Sequence, residues 1–319
     1  LSGARVARIL RVMRSPAALL VATLLASPLG AQPFTRSGGR PAADTTCGGC
    51  VDWLVPHAPV RLHANTWYVG SASLSALLVT SPAGHVLLDG GLPRSAPLIL
   101  ASIRAAGFDP RDVKVIVNSH AHFDHAGGIA ALQAATGAEV VALPWSARVI
   151  RRGITRSDDP QAATHFDYPG VARVRTIRDG DTVRVGPLAL VAHETPGHTP
   201  GGTTWTWRAC EGADCVDMVY ADSQSPISSP GFRYSSTPAA VTSFERGLAR
   251  IAALPCGILV TPHPSAARLW ERVAARDAGD AAPLRDATAC RRYADDARAA
   301  LAARLARERA DTVRTSRVP

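Results

Sequence analysis

The chain has 319 residues, of which 46% are hydrophobic and 19% charged, so it can bury a substantial core in one or two domains. Its formal net charge is +9. The first 31 residues contain four arginines and no acidic residue, so the remainder carries about +5. Arginines near the C-terminus are interleaved with acidic residues, and no basic arm with interleaved aromatic residues is evident. The composition therefore argues against nucleic-acid binding.

Residues 1–31 have the pattern of a secretory signal peptide. An apolar run over residues 16–25 is followed by a cleavage site at residues 29–31 and is preceded by Arg5, Arg8, Arg11 and Arg14. The run is too short, and too interrupted by proline, to span a bilayer. We therefore expect a periplasmic or secreted bacterial protein without a stable membrane anchor.

Residues 32–50 are rich in glycine, proline, serine and threonine and are predicted to form a loose N-terminal arm. Cys47 and Cys50 form a Cys-x-x-Cys motif at its end. Such a motif can be redox-active or supply half of a zinc site, but the sequence contains no second copy. A local disulfide is therefore the preferred interpretation.

The next part of the chain predicts alternating strands and helices. Apolar and β-branched runs predict strands at residues 66–69, 75–80, 85–88, 113–117 and 139–143. Helical spacing of apolar residues predicts helices at residues 95–106, 129–136 and 145–150. Asp89 follows the third strand beside two glycines, where it either orients a metal ligand or simply forms a turn.

Three histidines and an aspartate follow the strand at residues 113–117 within six positions: His120, His122, Asp124 and His125. Side chains two apart in an extended backbone point the same way, so His120 and His122 can converge on one ion, and neutral imidazole is a good zinc ligand. Asp124 and His125 are adjacent and point elsewhere. The pattern therefore predicts a second ion nearby, as in two-metal hydrolases.

The polar segment at residues 155–168 is predicted to be a mobile loop that borders this site. A second half of the fold then begins, with short strands predicted at residues 171–177, 182–185, 188–193, 203–207, 216–220 and 258–261. A helix is predicted at residues 238–253, and two more precede a polar C-terminal tail at residues 310–319.

Two further histidines follow predicted strands and lie in turns rich in proline and glycine. His198 lies in Pro196-Gly197-His198-Thr199-Pro200, and His263 lies in Pro262-His263-Pro264. A histidine in a rigid turn loses little freedom on binding, whereas a core histidine would lie within an apolar run. Both are therefore predicted to be metal ligands.

The order His120-x-His122-x-Asp124-His125, followed by His198 and His263, resembles the metallo-β-lactamase superfamily, and within it subclass B3. Further stretches that carry the resemblance are residues 65–70, 74–81, 219–223 and 261–266. The resemblance implies an α/β (α+β) fold, a four-layer αββα sandwich, formed here by a domain at residues 51–309.

The resemblance also implies the ligand set and the cofactors, two zinc ions per chain. By this likeness His120, His122 and His198 hold the first zinc, and Asp124, His125 and His263 hold the second. Zinc lowers the pKa of a bound water, so that a nucleophile exists at neutral pH.

The function that the resemblance implies is hydrolysis of the β-lactam ring of penicillins, cephalosporins and carbapenems by a metal-bound hydroxide, which confers antibiotic resistance. Asp124 is expected to orient the nucleophile, and Ser223 and Ser225 are expected to contact the substrate carboxylate. The expected partner is thus a small-molecule β-lactam, and we expect a monomer.

Asp222 leaves a second enzyme class open. Other hydrolases of the superfamily, such as glyoxalase II-like thioesterases and lactonases, use an aspartate in this region to bridge both metals, and Asp222 is one residue from Ser223. An Asp222 that points at the metals would indicate a thioesterase or lactonase, and one that points away would favour a lactamase. A zinc-binding protein without turnover is a third alternative, but every expected ligand is present.

Six cysteines fit an oxidising compartment and allow fifteen pairings, so the sequence alone does not fix the disulfides. The resemblance implies the pairs Cys210–Cys215 and Cys256–Cys290, which leaves Cys47 and Cys50 to each other.

Overall fold

The computed structural model describes residues 34–36, 40–42, 47, 49–280 and 283–315. These residues belong to one compact unit within residues 31–319, and the predicted signal peptide lies outside them. Among them, no helix combines the length and the apolar character needed to cross a bilayer.

The N-terminal arm is more ordered than its composition predicts. Strands β1 (Phe34–Arg36) and β2 (Arg40–Ala42) pair antiparallel, and the short helix α1 (Cys50–Trp53) follows. Within the predicted arm at residues 32–50, the described residues 34–36 and 40–42 thus form a strand pair that the sequence did not predict. Two glycines stand between them in the sequence, which is a hairpin signal that polar composition conceals.

The first sheet has seven strands in sequence order. They are β3 (Val60–His63), β4 (Thr66–Tyr68), β5 (Leu77–Val79), β6 (His85–Leu88), β7 (Val113–Val117), β8 (Glu139–Ala142) and β9 (Val174–Thr176). The strands from β3 to β6 pair antiparallel, and those from β6 to β9 pair parallel. The sequence did not predict β3, and it assigned residues 171–177 to the second half, whereas β9 pairs with β8.

Helices connect the parallel strands of this sheet, as parallel pairing requires. They are α2 (Ala96–Ala105), the single turn α3 (Phe123–Ala126), α4 (Ile129–Thr136) and α5 (Pro144–Arg152). Gly137 and Gly153 end α4 and α5 in the left-handed conformation that favours glycine.

The second sheet has five strands, also in sequence order. They are β10 (Thr182–Val185), β11 (Leu188–Glu194), β12 (Thr203–Glu211), β13 (Asp214–Tyr220) and β14 (Ile258–Val260). The first four form an antiparallel meander, and β14 pairs parallel with β13. Strands β11, β13 and β14 therefore run in the same direction.

The C-terminal region contributes the helices α6 (Pro238–Ala252), α7 (Leu269–Asp277) and α8 (Ala289–Thr315). Helix α8 continues past residue 310, where a C-terminal tail was predicted. The reason is that no glycine or proline interrupts the sequence between Ala289 and Thr315.

Three separate hydrophobic clusters define the layers. One lies between the first sheet and its helices and contains Ile99, Ile116 and Leu132. The second lies between the two sheets, and the third lies between the second sheet and α6 and α8. Strand residues alternate between clusters, as Leu259 faces the third while its neighbours Ile258 and Val260 face the second. Two sheets between outer helices confirm the predicted αββα sandwich.

Three disulfides link Cys47 to Cys50, Cys210 to Cys215, and Cys256 to Cys290. These are the pairs that the resemblance and the preferred interpretation of Cys47 predicted. The second closes the β12–β13 hairpin, and the third ties the start of α8 to the segment before β14.

Candidate active site

Five strands end at one edge of the sandwich, and each is followed by candidate functional residues. Asp89 follows β6, and the His120 motif follows β7, which is parallel to β6. In the second sheet, His198 follows β11, Asp222 follows β13 and His263 follows β14. Because these three strands run in the same direction, their ends meet at one edge, as ligand sites in such sheets do.

The first group of side chains consists of His120, His122 and His198. One ring nitrogen of each lies within 4.8 Å of one from each other member, and all three residues are buried. The backbone of His122 is extended, so it projects in the same direction as His120 before the α3 turn begins. The predicted convergence of these three histidines is thus present.

The second group consists of Asp124, His125 and His263. Asp124 Oδ2 lies 3.2 Å from Nε2 of His125 and 3.4 Å from Nε2 of His263, and the two histidine nitrogens are 3.2 Å apart. Asp124 and His125 reach this position because they lie in α3, which turns them away from His122. The groups adjoin, since ligand atoms of His120, Asp124 and His125 also lie within 4.8 Å of one another.

Burial sets the charge of the first group. It lowers the pKa of His120 and His122 well below its usual value and lowers the pKa of His198 to about 4. In the second group burial works against ionisation of Asp124, but the adjacent His125 and His263 hold its pKa well below its usual value. The edge therefore presents three neutral imidazoles beside an ionised carboxylate, which is the form in which both bind metals.

Each histidine of the first group donates its outer ring N–H to an oxygen. His120 Nδ1 donates to Asp222 Oδ1 at 2.8 Å, His122 Nε2 to Asp159 Oδ2 at 3.0 Å, and His198 Nδ1 to the Ser225 carbonyl at 2.9 Å. These acceptors fix the tautomers and leave the lone pair of each ring on the opposite nitrogen, inside the cluster. On His198 that nitrogen, Nε2, accepts from the Gln161 amide at 3.2 Å.

Asp89 belongs to a buried hydrogen-bond network beside the second group. Its carboxylate accepts hydrogen bonds from the Ser119 N–H, the Ser119 hydroxyl and the Tyr220 hydroxyl, each at 2.7 Å. His125 Nδ1 lies 3.9 Å from the same carboxylate. Asp89 is fully buried, with a φ of 64° that is rare for a non-glycine residue, so a specific network holds it there.

The donor set fits a divalent metal. Nε2 of His120 is buried, faces the cluster and has no hydrogen-bond partner among the described residues, which is costly unless an ion takes the lone pair. Imidazole and carboxylate together are the donors that zinc prefers. Metal binding is therefore consistent with the geometry of these side chains and, in the first group, with neutral imidazoles.

The predicted substrate-binding serines lie beside the second group. Ser223, Ser225 and His263 together line a cavity of about 350 Å³. The Ser225 hydroxyl is 3.1 Å from Nδ1 of His198, so the residue approaches the first group as well.

Among the residues that contact the site, the sequence did not identify Asp159 or Trp53. Asp159 and Trp53 lie far from the histidines in sequence, and no spacing connects them: Asp159 binds His122, and the Trp53 ring lies 5.5 Å from that of His263. His165 is buried, and its ring centroid is 3.7 Å from that of His122.

The segment at residues 155–168 borders the site as predicted, but several contacts hold it. Besides the bond from His122 to Asp159, the Tyr168 hydroxyl donates to the Ala121 carbonyl at 2.8 Å. Asp159, His165 and Tyr168 are all buried.

A buried cluster of metal-binding side chains at the strand ends of an αββα sandwich defines a metal-dependent hydrolase. Residues 70–285 match the family model of the metallo-β-lactamase superfamily, and the chain belongs to that superfamily. The resemblance inferred from the His120 motif is confirmed.

Solved structures place the chain more narrowly. It is similar to the Rm3 metallo-β-lactamase, with 47% identity, a TM-score of 0.80, and coverage of 82% of this chain and 99% of that one. It is also similar to MEM-A1, a subclass B3 enzyme from a soil metagenome library, with 46% identity, a TM-score of 0.79, and coverage of 82% and 100%. The resemblance to subclass B3 is thereby confirmed.

Curated relatives have lower sequence identity to this chain, and they are named for the hydrolysis of other substrates. A hydroxyacylglutathione hydrolase of Rhodospirillum rubrum is 28% identical over 129 residues, which are 40% of this chain and 41% of that protein. The chain thus spans less than half of that relative. The N-acyl homoserine lactonase AttM of Agrobacterium fabrum is 30% identical over 204 residues, 53% of this chain and 73% of that protein.

Proposed function

We propose that this chain is a zinc-dependent hydrolase that opens the β-lactam ring of penicillins, cephalosporins and carbapenems. The observation that carries the proposal is the direction of Asp222, whose carboxylate accepts from the outer nitrogen of His120 instead of joining the metal-binding atoms. This is the arrangement that favours a lactamase over a thioesterase or lactonase. The likeness to solved metallo-β-lactamases supports the same choice.

We assign one zinc ion to His120, His122 and His198, and a second to Asp124, His125 and His263. The support is the division of six side chains into two adjoining groups, each with three donors within reach of one another. When bound, zinc ions lower the pKa of a water molecule to make a nucleophile and polarise a carbonyl group.

The side chains of the chain then position the reactants. Asp124 is an ionised member of the second group and lies next to His120 of the first, so it can accept a hydrogen bond from the attacking water and orient it. The hydroxyls of Ser223 and Ser225 line the adjoining cavity and can donate to the carboxylate of the substrate. In the reaction, water adds to the ring carbonyl, the amide C–N bond breaks, and the ring nitrogen takes up a proton.

A thioester or lactone is the second candidate substrate. The named relatives, a hydroxyacylglutathione hydrolase and a homoserine lactonase, favour it, and Asp222 lies close enough to the cluster to contact His120. If this carboxylate pointed to the metal-binding atoms on the inner side of His120, the site would be that of a thioesterase or lactonase.

The test is hydrolysis of a chromogenic cephalosporin and a carbapenem by the mature protein, with and without a zinc chelator. We expect turnover of both, loss with the chelator, and recovery when zinc is added back. Asp124→Asn should be inactive, and His193→Ala, on β11 outside the ligand groups, should retain activity. Hydrolysis of a glutathione thioester or an acyl homoserine lactone, without turnover of either β-lactam, would replace the proposal with the second candidate.

We also infer a periplasmic or secreted location. Three disulfides in one chain support an oxidising compartment. To test this location, intact cells are treated with a membrane-impermeant thiol-alkylating reagent before and after reduction. The labelling of the protein is then compared with its distribution on cell fractionation.

A further inference from the structure

A groove leads from the proposed serine subsite to helix α8. On one side the cavity of about 350 Å³ is lined by Ser223, Ser225 and His263. The opposite wall comes from α8, and its four residues are Tyr293, Asp296, Ala297 and Ala300. These positions are spaced i, i+3, i+4 and i+7, so a single stripe of the helix faces the groove.

Tyr293 fixes the distance between the two walls. Its hydroxyl donates to the Asp222 carbonyl at 2.9 Å and accepts from the Gln224 N–H at 3.1 Å. The helix is therefore attached to the strand-end segment that carries both serines. Beyond Tyr293, the alanine side chains at 297 and 300 are too short to fill the space, which leaves room for a ligand group.

Asp296 is the only carboxylate among the described residues that line this groove. The basic side chains near it on α8 are paired with other acids. Arg292 binds Asp286, Arg298 binds Asp295 at 2.8 Å and Glu245 at 3.0 Å, and Arg304 binds Glu308 at 2.6 Å. Arg292 also interacts electrostatically with Asp296, but its guanidinium ion-pairs with Asp286, so Asp296 still presents negative charge at the groove.

We propose that this groove is a substrate subsite. It would hold the substituent on the ring carbon next to the one that bears the carboxylate, and Asp296 would select for a cationic substituent. The inference rests on the proposed function. If Ser223 and Ser225 hold the carboxylate of a bicyclic β-lactam, a substituent on the neighbouring ring carbon leaves the site on the serine side, where the groove begins. Its alanine walls contact the body of the substituent, and the carboxylate attracts its positive charge.

The expected effect is modest because Asp296 is exposed to solvent. Exposed ion pairs change equilibria by about two- to fivefold, and salt weakens them. A ratio between two substrates that differ only in this substituent resolves such a change, because effects on the shared ring and acyl group cancel.

The experiment uses two cephalosporins with the same acylamino side chain, one bearing a pyridinium group and the other a neutral acetoxy group on the 3-methyl carbon. The measured quantity is the ratio of kcat/KM, cationic over neutral, for the zinc-loaded enzyme. We expect Asp296→Asn to lower the ratio about two- to fivefold, chiefly through KM. Asp296→Lys should lower it further, and high salt should reduce the wild-type ratio.

The matched control is Asp295→Asn, since Asp295 is the adjacent acid on α8 but pairs with Arg298. It should keep the wild-type ratio. An unchanged ratio in both Asp296 variants, with both cephalosporins still hydrolysed, would overturn the subsite and leave the proposed function intact. Absence of turnover of both cephalosporins by the wild-type enzyme would overturn the proposed function and the subsite together.

Discussion

His120 Nδ1 donates a hydrogen bond of 2.8 Å to Oδ1 of Asp222, and both side chains are completely buried. The contact directs Nε2 of His120 into the cluster of histidines. Gly202 makes the contact sterically feasible, because a Cβ at that position would lie 2.2 Å from Oδ2 of Asp222. Asp222 and Gly202, from two other loops, thus orient His120 as a candidate metal ligand.

Asp222→Asn should weaken zinc binding about 10- to 100-fold, because an amide is a poorer acceptor for the ring N–H than a carboxylate. Competition with a chromogenic chelator measures the affinity. Asp217→Asn is the control, since Asp217 is on β13, the strand that precedes Asp222, and pairs with the exposed Arg208. Equal zinc affinity in the two variants would contradict the role given to Asp222.

His263→Ala should lose the second zinc equivalent and most of the turnover. The remaining partners, Asp124 and His125, leave that group with two donors, which is fewer than zinc requires from protein side chains. Elemental analysis after dialysis gives the zinc content. A variant that keeps two equivalents and full activity would rule out the two-zinc assignment.

Trp53→Ala should reduce occupancy of the second group without removing a ligand. The Trp53 ring lies 5.5 Å from His263 and 6.3 Å from Phe123, so it limits the movement of the His263 imidazole. Ring contacts of this kind correspond to an affinity change of about two- to tenfold. Trp53→Phe retains a ring and should bind zinc nearly as the wild type does; equal losses in both variants would argue against the ring contact.

Ser225→Ala should raise KM for β-lactams while leaving kcat nearly unchanged. The substitution removes the hydroxyl but keeps the carbonyl that accepts from His198. Initial rates over a range of substrate concentrations separate the two constants. Ser157→Ala, on an exposed loop, is the control. An unchanged KM across several β-lactams would exclude the Ser225 hydroxyl from substrate binding.

Glu308 is expected to make stability depend on pH. Its carboxylate accepts from the Ser235 N–H at 2.7 Å and from Arg304 Nε at 2.6 Å. Burial opposes ionisation, but these donors hold the pKa of Glu308 below its usual value of 4.5. Because the folded-state pKa is lowered, the stabilisation is complete above pH 4.5 and is lost as pH falls through the folded-state value.

Glu308→Gln should therefore lower the free energy of unfolding by about 1–3 kcal/mol at pH 7, and by less at pH 3. Urea unfolding at the two pH values provides the comparison. Glu271→Gln, at an exposed pair with Arg268, should have little effect at either pH. A difference between wild type and Glu308→Gln that does not shrink at pH 3 would disprove the linkage.

Much of the fold could be predicted because its signals are local. The boundaries of β7, β10 and α4 agree with the sequence prediction, since each has a regular pattern of apolar residues bounded by turn residues. The edge strand β3 was missed and residues 171–177 were assigned to the wrong half. Pairing between strands depends on contacts distant in sequence, and periodicity does not report those contacts.

By itself, the sequence determined the candidate ligands. His120, His122, Asp124 and His125 are close in sequence, and His198 and His263 lie in rigid turns after strands, so local patterns were sufficient to name them as candidates. Their division between two zinc ions came from the family resemblance. Only the tertiary structure decided how those ligands are held. Three contacts join segments far apart in sequence. They are the hydrogen bonds from His120 to Asp222 and from His122 to Asp159, and the ring contact between Trp53 and His263. Such contacts form only when the two sheets and their loops pack, because no local spacing specifies them.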